Sequence, residues 1–111
     1  MNYNECRFSR KTGAAATAFT LTPEISSINW WVYEVRIHLA GAATQETLTV
    51  SIDSDTNAVY DVTLFSQAMA NLTDVVFRPD QPIPLAPGDT LKVDWANTDT
   101  ETYGIEVVYG F

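Results

Sequence analysis

The sequence holds one imidazole, His38, and one thiol, Cys6. A nucleophilic serine or cysteine needs a base within hydrogen-bond reach, and neither residue stands in a motif that supplies such a pair. His38 shares a period-two row with Glu34 and Arg36, so on a strand the three would lie on one face, roughly 7 Å apart. In principle that row is an acid/base array; its composition reads as a solvated ladder of charge pairs. Cys6 alternates with Phe8 and reads as a small packed hydrophobe.

The acidic stretch Asp53, Asp55, Asn57 and Asp61 places oxygen ligands at positions 1, 3, 5 and 9 of a calcium-binding loop. The rest of that loop is missing, because Ala58 stands where the turn glycine belongs and Leu64 where a bidentate Glu belongs. A polar hairpin turn is the first reading and a hard-cation site the second. Asp99 and Glu101 would add ligands only if the fold joined the two turns. Trp30, Trp31 and Trp95 raise a carbohydrate platform, since flat aromatic rings stack on sugars, but Trp31 and Trp95 fall on expected inward rows. Trp30 and Val32 fall on the opposite face and, if uncovered, would form an interface with another subunit or a partner. Asn71-Leu72-Thr73 matches the glycosylation acceptor pattern by chance in a chain with no recognisable secretory signal.

These residues must be positioned by strands. Apolar side chains recur every second residue over 30–40, 48–52, 91–95 and 103–109, which puts alternate residues on one buried face. Adding 4–9, 18–22, 58–65 and 74–78 gives about eight short strands with turns every ten or so residues. The expected inward rows are Trp31, Tyr33, Val35, Ile37 and Leu39; Leu48, Val50 and Ile52; Leu91, Val93 and Trp95; and Tyr103, Ile105, Val107 and Tyr109. The spacing predicts an all-β fold, an antiparallel β-sandwich of jelly-roll type. One short helix is expected over 66–72, and the prolines at 79, 82, 84 and 87 confine that segment to an edge strand or an extended crossing.

Composition fits a single domain of 111 residues, 46% hydrophobic, that must be held by its core because one cysteine cannot form an internal disulfide. No stretch is long and apolar enough to span a membrane, and a net charge of -8 with 14 acids and 6 bases argues against nucleic acid as a partner. Arg7, Arg10 and Lys11 are half of the bases, whereas residues 12–111 carry 13 acids and 3 bases, a net of -10. The chain therefore divides into a weakly basic arm or first edge strand over 1–11 and a single acidic β-sandwich domain over 12–111. The arm is either solvated surface or a segment that docks on the acidic body of a neighbouring copy or partner.

Three segments, WVYEVRIHL at 31–39, PDQPIPLAPGD at 79–89 and WANTDTETYGIEV at 95–107, resemble a group of small structural proteins of tailed bacteriophages; the likeness covers roughly 30–109. It implies a jelly-roll virion protein, made in the host bacterial cytoplasm, that decorates or cements the capsid shell. Its implied partners are further copies of itself, often as trimers, and the major capsid protein or other virion proteins. No catalytic residue and no cofactor come with the likeness. A glycan-binding module of a host-adhesion or tail apparatus is the alternative, and a small hydrolase is the weakest reading.

Overall fold

The computed structural model describes residues 6–23 and 27–111. Residues 1–5, part of the expected arm and of the strand expected over 4–9, lie outside the described residues. Among the described residues nine strands run in chain order: β1 (Arg7–Gly13), β2 (Thr17–Leu21), β3 (Trp30–Leu39), β4 (Thr47–Asp53), β5 (Val62–Ala68), β6 (Asp74–Phe77), β7 (Ile83–Leu85), β8 (Thr90–Trp95) and β9 (Tyr103–Gly110). They form two antiparallel sheets, one ordered β1-β9-β3-β6 with β7 also on β3, the other β2-β8-β4-β5.

That order is a long hairpin rolled over on itself. First pairs with last (β1 with β9), then β2 with β8, β3 with β6 and β7, and β4 with β5; rolling adds the contacts β9 to β3 and β8 to β4. The result is a jelly-roll β-sandwich.

Between the sheets lie Val35, Ile37, Leu39, Leu48, Val50, Ile52, Leu91, Val93, Trp95, Ile105 and Val107, all buried, as the alternation requires. The interior departs from the expected rows in β3. A β-bulge falls between Val32 and Glu34: Val32 faces Tyr109, Glu34 faces Val108, and Tyr33 is the extra residue. One extra residue inverts the alternation on one side of it. Trp30 and Val32 therefore turn into the core, 1% and 0% exposed, where Trp30 meets Tyr109 edge-on at 5.9 Å between ring centroids. Trp31 and Tyr33, expected on the inward row, lie on the outer side, Trp31 half-buried and Tyr33 buried as expected at 4% exposure; the Tyr33 ring covers Gly110, where a Cβ would come within 2.6 Å of the phenol oxygen.

The expected helix over 66–72 is also replaced. Val62–Ala68 is an edge strand whose Ser66 and Ala68 pair with Thr49 and Thr47 of β4, and Met69 follows it fully buried. A seven-residue helix is marginal by itself, so the ladder with β4 wins. The only helical element among the described residues is a 3-10 turn over Ala58–Tyr60. The proline-rich segment crosses as expected, with β7 as a three-residue edge strand.

Candidate interaction face

The outer face of the first sheet carries the charged row. Arg10 of β1, Glu106 of β9 and Arg36 of β3 stand at one register position across three strands. Arg10 donates to Glu106, Arg36 donates to both Glu106 and Glu34, and Arg78 approaches Glu34 at 4.0 Å. Two residues further along β3, on the same face, His38 Nδ1 and Asp74 Oδ1 are 2.6 Å apart. The Arg10 guanidinium, with help from Arg36, holds the Glu106 carboxyl below the usual range, and His38 followed by Thr73 does the same for Asp74. Hydrogen bonds to Glu34 and then Glu106 raise the Arg36 guanidinium. At neutral pH the row is a set of fixed charges, suited to binding and alignment.

Two recesses flank this row. The smaller, about 280 Å³, is lined by Cys6, Phe8, Tyr33 and Val108 on its apolar side and by Glu34, Arg36 and Arg78 on its polar side. Cys6 is half-buried there. The larger, about 440 Å³, lies over Gly104 of β9, with Thr12, His38 and Val76 among its walls. Phe8 and Val76 are exposed on this face.

Of the basic residues expected in an arm, all three lie on β1, paired along its length with β9. Arg10 belongs to the charged row, and the Arg7 guanidinium lies 3.9 Å from the centroid of the Phe111 ring. Lys11 is exposed at the sheet margin and makes no ion pair among the described residues. Trp30 and Val32 are core residues, so they present no surface to a partner. With Trp95 also buried, Trp31 is the one indole that keeps accessible surface.

The four residues of the possible cation loop do not converge. Asp61 Oδ1 accepts from the Ser54 N–H at 2.7 Å, Asn57 Oδ1 accepts from the Val59 N–H at 3.0 Å, and the Asp55 N–H donates to Asp89 at 3.0 Å. The first two bonds close the β4–β5 turn, and the third ties it to the turn that precedes β8. Asp53 is exposed at the end of β4. Asp99 and Glu101 are at the opposite end of that strand, about 20 Å away; there the Thr44 hydroxyl and N–H donate to Asp99, and hold its carboxyl low. Among the described residues no group of three or more His, Cys, Asp or Glu is placed to hold a metal ion. No helix of the described residues is long and apolar enough to cross a membrane.

Two features were not singled out in the sequence. Val59, Tyr60 and Val62 are 78%, 66% and 48% exposed, an apolar spur on the turn between β4 and β5. Gly104 opens the larger recess. The signal for Gly104 was present, a glycine near the start of an alternating row with no turn residue directly beside it; the spur was hidden because 58–65 reads as one strand. No protein-family model matches the chain, and no curated protein matches it in sequence.

Proposed function

We propose that this chain is a non-enzymatic structural protein of a tailed-bacteriophage particle, a decoration or cement protein that stabilises the capsid shell by binding copies of itself and the capsid protein. The observation that carries the reading is the apolar spur. Three large apolar side chains held out in water cost solubility and are the usual mark of a contact surface, and here a hydrogen-bonded turn on a rigid jelly roll presents them. The charged row and the two recesses supply a second, polar surface of the kind that sets orientation. The resemblance of residues 30–109 to small virion proteins supports the same role.

The test is the mass of the purified chain in solution across a concentration series, together with co-sedimentation on empty capsids. Self-association, capsid binding, or both are expected. A strict monomer that leaves capsids bare overturns the proposal.

A further inference from the structure

We infer that the open edge of β5 pairs antiparallel with β5 of a second copy across a twofold axis, joining two four-stranded sheets into one of eight strands. This rests on the self-association part of the proposed function and names the strand that performs it.

A strand at a sheet edge leaves alternate N–H and C=O groups unpaired, and proteins protect such edges with charge, proline or brevity. Among the described residues every open edge but one is protected. Strand β1 has Arg7, Arg10 and Lys11; β6 begins with Asp74 and is followed by Arg78 and Pro79; β7 is three residues long and contains Pro84. Strand β2 is five residues long and stops two short of Pro23, and its inward Phe19 and Leu21 are already buried. Strand β5 has none of these devices. It reads VTLFSQA, seven residues without charge, proline or glycine, and the uncharged run continues to Thr73. Its apolar side chains are incompletely covered. Val62 is exposed, and Leu64 and Phe65 are half-buried, with Phe65 stacked on Phe77 at 5.0 Å between ring centroids. An added strand completes their cover and takes up the free backbone groups.

Charge and geometry make that added strand another β5. Two molecules of net charge -8 repel each other, and this neutral edge lets them meet without bringing fixed charges together. The same edge holds nothing to attract a basic partner. Residues directly opposite in an antiparallel pair share one face of the sheet. Ser66 is on the outer face, opposite Thr49 of β4, so a twofold axis through it sets Ser66 against Ser66 of the copy. Phe65 then meets the copy's Gln67, and Leu64, the bulged residue of the ladder with β4, comes beside the copy's Ala68. Large apolar side chains thus meet a small one or a flexible stem. Because the strands run in opposite directions, the start of one lies beside the end of the other, and the Val59 and Tyr60 spur reaches the copy's turn over 69–71, where Ala70 is exposed. The contact is isologous and closes at the dimer.

The full chain is followed by sedimentation velocity over a concentration series, with hydrogen exchange on the same samples and circular dichroism to verify the fold of each variant. The parent is expected to form a dimer that does not grow, and the amides of 65–68 to exchange more slowly as it forms. Ser66→Lys and Ser66→Glu each set like charges opposite one another at the axis. Each is expected to associate at least about tenfold more weakly than the parent, while their equimolar mixture recovers the dimer, because lysine then faces glutamate. Variants that associate like the parent, a mixture that recovers nothing, or growth past the dimer, as pairing of β5 with β2 of the next copy would give, overturn the inference while the self-association role stands. A parent chain that is monomeric yet binds capsids overturns the inference alone, and one that does neither overturns both.

Discussion

The indole of Trp30 is enclosed by the core, yet its Nε1 has no hydrogen-bond acceptor among the described residues. A buried donor without a partner costs free energy that the ring's burial must exceed. The two contributions can be separated. Trp30→Ala leaves a cavity and is expected to destabilise by about 3–5 kcal/mol. Trp30→Phe keeps most of the ring while removing the orphaned donor, and is expected to cost less than about 1.5 kcal/mol; urea unfolding of the two variants measures the difference. Glu106 makes a second residue-scale case. Its carboxyl titrates lower in the folded chain than in the unfolded one, so its contribution to stability is complete above the unfolded value of about 4.5 and disappears as pH falls through the lower, folded value. Melting temperature is therefore expected to drop on acidification from about pH 5 to about pH 3, and the part due to this group to be absent from Glu106→Gln. An equal drop in both proteins would remove Glu106 from the account.

Within β3 the bulge decides which residues are inside. Since Tyr33 is the extra residue, its removal lets Glu34 follow Val32 in regular alternation, with Trp30, Val32 and Val35 still inward. Removal of Trp31 instead forces either Trp30 or Val32 outward. Deleting the nearly enclosed Tyr33 is thus expected to cost about the burial of one side chain, roughly 1.5–3 kcal/mol, and deleting the more accessible Trp31 clearly more, with a red shift of tryptophan fluorescence if Trp30 emerges. The same strand shows how much was legible beforehand. Val35, Ile37 and Leu39 alternate with Glu34, Arg36 and His38, so charge marks the outer face and the assignment follows. In Trp30-Trp31-Val32-Tyr33 no polar residue marks either face, and pairing with Val108 and Tyr109 of β9, distant in sequence, sets the phase. The helix expected over 66–72 failed for a related reason: local propensity favoured it, but the long-range ladder with β4 outweighed it. The spur was illegible because exposure is a property of the folded turn, not of the apolar residue types that compose it.

At the scale of the molecule, charge is distributed by sheet. The outer face of the first sheet balances Arg10, Arg36 and Arg78 against Glu34, Asp74 and Glu106, so most of the net -8 belongs to the second sheet and the connecting turns. Strand β1 closes one edge of the first sheet, and its Arg7 and Lys11 share the register side of the inward residues Tyr109 and Ile105. Charges on that side of an edge strand deter further strand pairing. Removing residues 1–13 would therefore do more than delete a basic segment: it would uncover the whole hydrogen-bonding edge of β9 beside an apolar row. The truncated chain is expected to melt lower and to scatter light on warming, whereas Lys11→Gln keeps the melting temperature within about 3 °C, as for surface substitutions generally. Equal solubility of the truncated and full chains would show that β1 is not the guard of that edge.

The pairing of the first strand with the last has one more consequence. Arg7 faces Tyr109 across the ladder, so the two ends of the described fold emerge side by side at one corner, far along the chain but adjacent in space. A few residues would suffice to tie them covalently, and the backbone could then be opened at an exposed turn such as the one around Asn71. The fold is in effect a closed circuit of strands, and the order in which the ribosome delivers them is one of several that could build it.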